Sequence, residues 1–297
     1  MKIYLKICAY LSLFFLISCE KTIPIQIPTQ DQKLVINCME LFGNSLNIYL
    51  SRSASVIDAN SDLNVDNAEV LLILDNKDTL QMINKGYGRF LVGNIHTAKT
   101  LRITANHVIY GSVEAECIVP EAGFIIEKSY SSTKYSQGMG SSYDVLKFRV
   151  KIKDIEGENY YFLQMFTTSY NSYDKPGNSQ NSASIWSSDN NLTQITSYTS
   201  GLVFDDKTFD AKERTIEYYS ENYNFTDSSQ VKIVLNSITK SEYLWLKSYE
   251  MYHISSGPFS ENVQVYSNVK NGFGLFAVYS QTIDSIQVTD LPDSYKK

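Results

Sequence analysis

The chain has 297 residues, of which 43% are hydrophobic and 20% charged, and its formal net charge is −6. This length and apolar content exclude a disordered chain and are sufficient for two domains. The acidic balance argues against a nucleic-acid partner, because phosphate binding needs a clustered surplus of lysine and arginine. Four cysteines are too few for a disulfide scaffold, whereas 22 tyrosines are conspicuous, and tyrosine is common in β-sheets and at binding surfaces.

The N-terminus predicts export and a lipid anchor. Lys2 and Lys6 precede an apolar run over residues 7–17 that is too short to span a membrane. The run ends in Leu16-Ile17-Ser18-Cys19, which resembles the bacterial lipobox. That resemblance implies removal of residues 1–18 as a signal peptide and acylation of Cys19; an ordinary cleaved signal peptide with an accidental cysteine is the alternative. Residues 19–32 contain two prolines and predict an extended tether.

Residues 33–120 predict an N-terminal β-sandwich of immunoglobulin-like or transthyretin-like type. Short apolar segments alternate with turn residues, and no helical period is present. The predicted strands cover residues 34–41, 46–52, 69–74, 79–83, 88–92, 100–105 and 112–119. Pro120 is predicted to end the last strand and the domain.

Residues 121–297 predict a second, less regular β-rich domain. Residues 144–154 alternate apolar and charged side chains, and residues 159–168 form a longer apolar strand, so the pair predicts a hairpin through the turn Glu156-Gly157-Glu158. Residues 169–191 are rich in serine and asparagine and predict a long exposed loop. Further strands are predicted over residues 215–219, 231–238, 263–267 and 274–282.

One helix is predicted near residues 240–255. Thr239 is its expected N-cap, and Glu242 at the third helical position completes a capping box. An apolar and aromatic stripe at helical spacing, which includes Leu244 and Trp245, indicates that the helix docks on a sheet. Gly257-Pro258 is expected to stop the helix.

In order and spacing, several segments resemble an uncharacterised family of Bacteroidota outer-membrane lipoproteins, known only as a domain of unknown function. They are Cys19-Glu20-Lys21, residues 33–37, 49–54, 65–70 and 86–90, Ser241-Glu242-Tyr243-Leu244 and residues 266–276. The resemblance implies an outer-membrane location. It also implies that genes of this family often lie beside genes for barrels that resemble TonB-dependent receptors. It supplies no catalytic residues. Cys38 departs from the small or apolar residue expected at that position.

A run of oxygen-bearing side chains has the spacing of a calcium loop. Residues at positions 1, 3, 5, 7, 9 and 12 of such a loop converge on one cation. They correspond here to Asp58, Asn60, Asp62, Asn64, Asp66 and Glu69. Leu63 occupies the position where the sharp turn requires glycine, and the flanks predict strands, so a polar inter-strand loop is the favoured interpretation.

Cys38 and Cys117 are the thiols that remain once the signal peptide is removed and Cys19 is lipidated. They fall in the first and last predicted strands of the sandwich. Export to an oxidising compartment makes a disulfide between them plausible. A pair of buried free thiols is the alternative, and both interpretations stay open at this point.

The sequence contains no recognisable catalytic or cofactor motif. His96, His107 and His253 are scattered, and neither a P-loop, a dinucleotide fingerprint nor a nucleophile elbow is present. A non-enzymatic protein without a cofactor is therefore expected.

Segments 129–143, 170–198 and 218–225 have the composition of adaptable recognition loops, with solvated loops as the alternative. The candidate ligand or partner residues are Tyr130, Tyr135, Tyr143, Tyr170, Tyr173, Trp186, Tyr198 and Tyr223. With the resemblance, these segments favour an accessory partner of an outer-membrane barrel of TonB-dependent transporter type, facing the cell surface. A free-standing glycan- or peptide-binding module and a structural part of an envelope assembly complex are the alternatives.

Overall fold

The computed structural model describes residues 31–54, 62–136, 142–168, 180–221, 229–255 and 260–289. The fold is mostly β with one docked α-helix, as the sequence predicts. In chain order the elements are β1 Leu34–Leu41, β2 Ser45–Arg52, β3 Glu69–Leu74, β4 Asp78–Gln81, β5 Ile83–Gly86, β6 Arg89–Asn94, β7 Thr100–His107, β8 Gly111–Ile118, β9 Phe124–Ser136, β10 Ser142–Lys153, β11 Tyr160–Thr168, β12 Gln180–Ser182, β13 Thr193–Ile195, β14 Gly201–Asp205, β15 Glu213–Glu221, β16 Ser229–Ile238, α1 Lys240–Ile254 and β17 Phe273–Val288.

The strands of the described residues form three sheets. The largest has the order β13-β14-β11-β16-β17-β1-β2-β6-β5, with β12 added beside β11. A second sheet has the order β4-β3-β7-β8, and a third has the order β15-β10-β9. The inward side chains of β1, β2 and β6 pack against those of β3, β7 and β8, which confirms the predicted β-sandwich. We call the apolar interior of this sandwich the first core.

The last strand, β17, joins both parts of the large sheet. Its first half pairs in parallel with β1, from Val35 opposite Phe273 to Leu41 opposite Tyr279. Its second half pairs with β16 in antiparallel fashion, from Ser237 opposite Ser280 to Ser229 opposite Val288. The first core therefore includes residues from the C-terminal end of the chain, such as Phe276 and Val278. The predicted two-domain division stays a prediction, but residues 33–120 do not build the first core alone.

The predicted hairpin between residues 144–154 and 159–168 is wrong. β10 pairs with β9 and β15, whereas β11 pairs with β16, β14 and β12. Phe148 and Val150 of β10 face Leu163 and Met165 of β11 across a shared interior, which we call the second core. The turn around Gly157 thus carries the chain from one sheet to the opposite sheet, because both strands have an apolar face to bury.

Two further predictions need correction. Residues 263–267 form no strand, and residues 129–136, predicted to be part of a recognition loop, form most of β9. Because β9 is rich in serine, its composition indicated a loop. It is nevertheless a strand that pairs with β10 over its whole length. The predicted loop 169–191 includes β12, and its residues 169–179 lie outside the described part of the chain.

Helix α1 is confirmed, and it packs on the large sheet through Tyr243 and Leu246. Thr239 is the N-cap, and its Oγ1 accepts a hydrogen bond from the backbone N–H of Glu242 at 3.1 Å. The reciprocal half of the predicted capping box is not made: Oε2 of Glu242 is buried and has no hydrogen-bond partner within the described residues. No helix among the described residues is both long enough and apolar enough to cross a membrane.

Candidate binding surface

The outer face of the β9–β10–β15 sheet is the candidate binding surface. Alternation along β10 sends Phe148 and Val150 into the second core, so Tyr143, Lys147 and Arg149 lie on the opposite face. Lys147 and Arg149 are flanked there by the neighbouring strands β9 and β15, which present hydroxyl, aromatic and acidic side chains. Alternate residues of β10 therefore lie on a buried apolar face and on an outward face that carries aromatic and charged side chains.

Four half-buried aromatic side chains meet on this face. Tyr135 and Tyr143 are directly opposed in the β9–β10 pairing, with ring centroids 5.9 Å apart. Tyr135 also contacts Tyr219 at 5.3 Å and Trp186 at 5.7 Å, the latter in an edge-to-face arrangement. Trp186 is held beside β15 by two backbone hydrogen bonds with Tyr219, of 3.1 and 2.8 Å. We call Tyr135, Tyr143, Trp186 and Tyr219 the aromatic cluster.

A ladder of ion pairs continues the surface beyond the aromatic cluster. Lys147 Nζ lies 2.7 Å from Glu217 Oε2, and Arg149 Nε lies 2.5 Å from Glu217 Oε1. These two cations hold the pKa of Glu217 below its usual value. Lys151 Nζ lies 2.7 Å from Glu213 Oε2, and Lys147 also approaches the ring of Tyr219, 5.9 Å from its centroid. Exposed ion pairs add little to stability, so their main consequence is a fixed pattern of charge beside the rings.

The structure brings together three of the tyrosine and tryptophan residues that the sequence proposes, namely Tyr135, Tyr143 and Trp186. Tyr130 instead packs against Phe148, 6.1 Å between ring centroids. Tyr198 lies near α1, in edge contact with Trp245 at 5.4 Å. Tyr170, Tyr173 and Tyr223 lie outside the described residues.

Tyr219 is the member of the aromatic cluster that sequence reasoning did not single out. It falls in a segment marked as a recognition loop, 218–225, but residues 218–221 belong to β15. Tyr218, its neighbour in that segment, is fully buried in the second core. Alternation along β15 is the signal that separates the two tyrosines, because Ile216 and Tyr218 are buried whereas Glu217 and Tyr219 are half-buried.

Three aspartates converge at one end of the second core. One carboxylate oxygen from each of Asp154, Asp206 and Asp210 lies within 4.8 Å of the others, and they are the one such group found in the described residues. Asp154 accepts hydrogen bonds from the Tyr161 hydroxyl and the Ala211 N–H, and Asp206 accepts one from the Asn159 N–H at 2.8 Å. Burial and the nearby charge of Asp154 raise the pKa of Asp206. These bonds give the aspartates a role in fixing the turns that connect the strands.

The predicted calcium ligands are used in local structure where they are described. Asp62 Oδ1 accepts from the Asn64 N–H at 3.0 Å, and Asn64 Oδ1 accepts from the Tyr49 hydroxyl. Asp66 Oδ1 accepts from the Gly88 N–H at 2.7 Å, and Glu69 lies exposed at the start of β3. Asp58 and Asn60 lie outside the described residues. Calcium binding stays a prediction, and these contacts support the polar-loop interpretation.

A cleft of about 660 Å³ lies where α1 begins, between the ends of strands from the first and second cores. Two of its charged groups pair with each other: Lys240 Nζ lies 3.0 Å from Glu158 Oε1, which also accepts a hydrogen bond from the Tyr160 hydroxyl at 2.5 Å. The pKa of Glu158 is lowered by these hydrogen bonds. The cleft therefore offers a ligand fewer unsatisfied groups than its residue types suggest.

The fold and this surface define a class: a mostly β protein with a β-sandwich, a docked helix and an aromatic face outside the cores. The chain belongs to the family described as "Domain of unknown function (DUF4249)", whose family model matches residues 20–284. This confirms that the chain belongs to an uncharacterised family, whereas the taxon, the outer-membrane location and the barrel partner that the resemblance implies stay predictions. No curated protein sequence matches the chain.

Proposed function

We propose that this protein is a non-enzymatic lipoprotein that acts as an accessory partner of an outer-membrane β-barrel of TonB-dependent transporter type. In this proposal acylated Cys19 anchors the chain to the outer membrane, facing the cell surface. The partner role is the capture of substrate for the barrel. The observation that carries the binding role is the aromatic cluster with its adjacent ion-pair ladder on the outer face of the β9–β10–β15 sheet.

The chemistry of this surface suits a protein interface. Tyrosine, tryptophan and arginine dominate the residues that carry most binding energy at interfaces. Here the three tyrosines of the aromatic cluster stand on paired strands, Trp186 is bonded to β15 through its backbone, and the four rings contact one another. A partner therefore meets side chains that already have few rotamers to lose. The ion pairs around Glu217 also fix charges that favour one orientation of the partner.

Purification of the tagged full-length protein from gently solubilised membranes of its own cells tests the proposal. We expect a large barrel protein to co-purify. The double variant Trp186→Ala/Tyr219→Ala should reduce its recovery by about tenfold or more. Tyr252→Ala is the matched control, because Tyr252 is an exposed aromatic residue on α1, outside the aromatic cluster. A wild-type protein that purifies as a lone monomer, or a double variant that retains the barrel, would contradict the proposal.

A glycan-binding module is the second candidate, and one observation favours it. Trp186 and Tyr219 lie within 29° of parallel, with centroids 6.1 Å apart, which gives two adjacent ring faces on which a sugar could stack. A glycan array probed with the full chain in detergent distinguishes the two functions. Binding to a defined glycan that is lost in the double variant, with no barrel recovered from membranes, would support the module.

A further inference from the structure

Two cysteine thiols are buried in the first core. Cys38 on β1 and Cys117 on β8 are each 5% exposed, and both are free in the structure. Cys38 Sγ donates a hydrogen bond to the backbone oxygen of Ala277 at 3.8 Å. The Cys117 thiol is hydrogen-bonded to the backbone of Val278. Because Ala277 and Val278 are consecutive residues of β17, the two sulfur atoms lie against the same stretch of backbone.

The two strands that carry the cysteines belong to opposite sheets of the sandwich and contact each other. Cα atoms of β1 and β8 come within 8 Å of one another, whereas packed sheets are typically about 10 Å apart. Backbone hydrogen bonds between Glu114 and Lys270, of 2.7 and 3.4 Å, attach β8 to the segment that precedes β17. Disulfides join residues whose Cα atoms are about 4.4–6.8 Å apart, so a bond between Cys38 and Cys117 requires β1 and β8 to approach within that range at these two residues.

We propose that Cys38 and Cys117 form a disulfide that links the two sheets, and that this bond can form only while the chain is folding. Each thiol gives up one proton, and the pair gives up two electrons, as the S–S bond forms. The co-reactant is a disulfide, in the cell that of a dithiol oxidase and in a test tube that of oxidised glutathione. Its own S–S bond breaks, and its two sulfur atoms accept the electrons and protons.

The restriction to folding follows from access and ionisation. Exchange begins with attack by a thiolate on an external disulfide, and it requires that the two sulfur atoms touch. Both thiols of the folded chain are enclosed by the first core. Burial also raises the pKa of both, that of Cys117 to about 12, so the folded chain holds very little of the reactive thiolate. The folded protein should therefore keep whichever redox state it had when the core closed.

Refolding in a glutathione redox buffer tests this inference. The purified full chain is unfolded and reduced, then refolded with oxidised and reduced glutathione, alkylated under denaturing conditions and digested for peptide mapping. We expect most chains to contain the cross-linked Cys38 and Cys117 peptides. The chain that is folded in the reduced state first, then placed in the same buffer, should acquire the link about a hundredfold more slowly.

Cys117→Ala is the matched control, because it removes one thiol and leaves a smaller apolar side chain at the same buried position. In this variant Cys38 should be recovered as an alkylated thiol. The proposal is overturned if wild-type refolding leaves Cys38 and Cys117 alkylated or bound to glutathione, or pairs them with Cys8 or Cys19. It is also overturned if the folded reduced chain acquires the link as fast as the unfolded chain. If the variant does not fold, peptide mapping of the wild-type chain alone decides between these outcomes.

Discussion

The first and second cores are built from different chemistry. The first core consists largely of aliphatic side chains on strands that follow the usual alternation, such as Ile36, Ile48 and Ile103. The second core contains buried tyrosines, among them Tyr161 and Tyr218. Within the described residues, the buried charged side chains, which are Asp154, Asp206, Glu242 and Glu250, all follow Pro120.

This difference indicates which of the two cores depends on specific polar interactions. An aliphatic core needs only correct size and pattern, and it stabilises a sandwich without special chemistry. Buried hydroxyls and carboxylates lower stability unless each is paired, so a core that contains them depends on exact partners. The aromatic cluster lies directly outside this second core, on strands β9, β10 and β15. The first core thus acts as a simple scaffold, whereas the second supports the candidate binding surface.

The largest expected effect concerns the strand that joins the two cores. Gly274 on β17 has a φ of +105°, and a Cβ there would lie 2.0 Å from the backbone oxygen of Ile36 on β1. We expect Gly274→Ala to separate β17 from β1 and to lower the free energy of unfolding by about 4 kcal/mol or more. Urea unfolding, followed by fluorescence and by circular dichroism, measures this loss.

Gly93→Ala on β6 is the matched control, because Gly93 has open space around the position of a Cβ. It should change stability by less than about 1 kcal/mol. If Gly274→Ala unfolds in two separate transitions while the wild-type chain unfolds in one, β17 is what makes the two cores cooperative. An unchanged midpoint for Gly274→Ala would show that the pairing of β17 with β1 contributes little.

The same strand shows why only part of the fold could be predicted from the sequence. The bounds of β1 and β3 match the prediction because alternation and turn residues are local signals. The parallel pairing of β17 with β1 joins residues more than 230 positions apart, and nothing local encodes it. Tyr135, Tyr143 and Trp186 were proposed from composition, but their convergence depends on the register of three strands. Tyr219 could be separated from Tyr218 only by knowing which face of β15 is buried.

The second prediction compares two buried glutamates on α1. Burial raises the pKa of Glu242 to about 8, and Oε2 of its carboxylate has no hydrogen-bond partner among the described residues to offset the lost hydration. A pKa that is higher in the folded than in the unfolded chain gives stability that is complete below pH 4.5 and is lost as the pH rises through 8. Glu242→Gln should therefore raise the free energy of unfolding by roughly 2–4 kcal/mol at pH 9 and very little at pH 4.

Glu250 provides the opposite case. Its Oε2 accepts from the backbone N–H groups of Thr196 and Ser197, each at 2.9 Å, and its Oε1 accepts from the Thr196 hydroxyl at 2.6 Å. Burial opposes ionisation, but these bonds outweigh it and lower the pKa of Glu250. Glu250→Gln should therefore destabilise the protein at pH 7, and the difference should vanish as the pH falls through the lowered pKa. Thermal unfolding of both variants between pH 4 and 9 would contradict this account if the two shift in the same direction.

The third prediction compares two tyrosines in the second core. The Tyr161 hydroxyl donates to Asp154, whereas the Tyr218 hydroxyl is buried without a partner among the described residues. Tyr161→Phe should lower the free energy of unfolding by about 2 kcal/mol, because it leaves a buried carboxylate with one bond fewer. Tyr218→Phe should be neutral or stabilise by about 1 kcal/mol. Urea unfolding measures both variants. Equal losses of unfolding free energy would show that the hydrogen bond to Asp154 does not explain the contribution of the Tyr161 hydroxyl.

The smallest expected effect concerns the aromatic cluster. If this surface serves binding, its rings should contribute less to stability than those of the core directly beneath. Trp186→Ala should lower the free energy of unfolding by about 1 kcal/mol, against about 3–5 kcal/mol for Phe148→Ala, whose ring is fully buried on the opposite face of the sheet. Urea unfolding of the two variants provides the comparison. Similar losses would mean that the aromatic cluster contributes to stability as core residues do. The difference between the first and second cores would then rest on the buried polar groups alone.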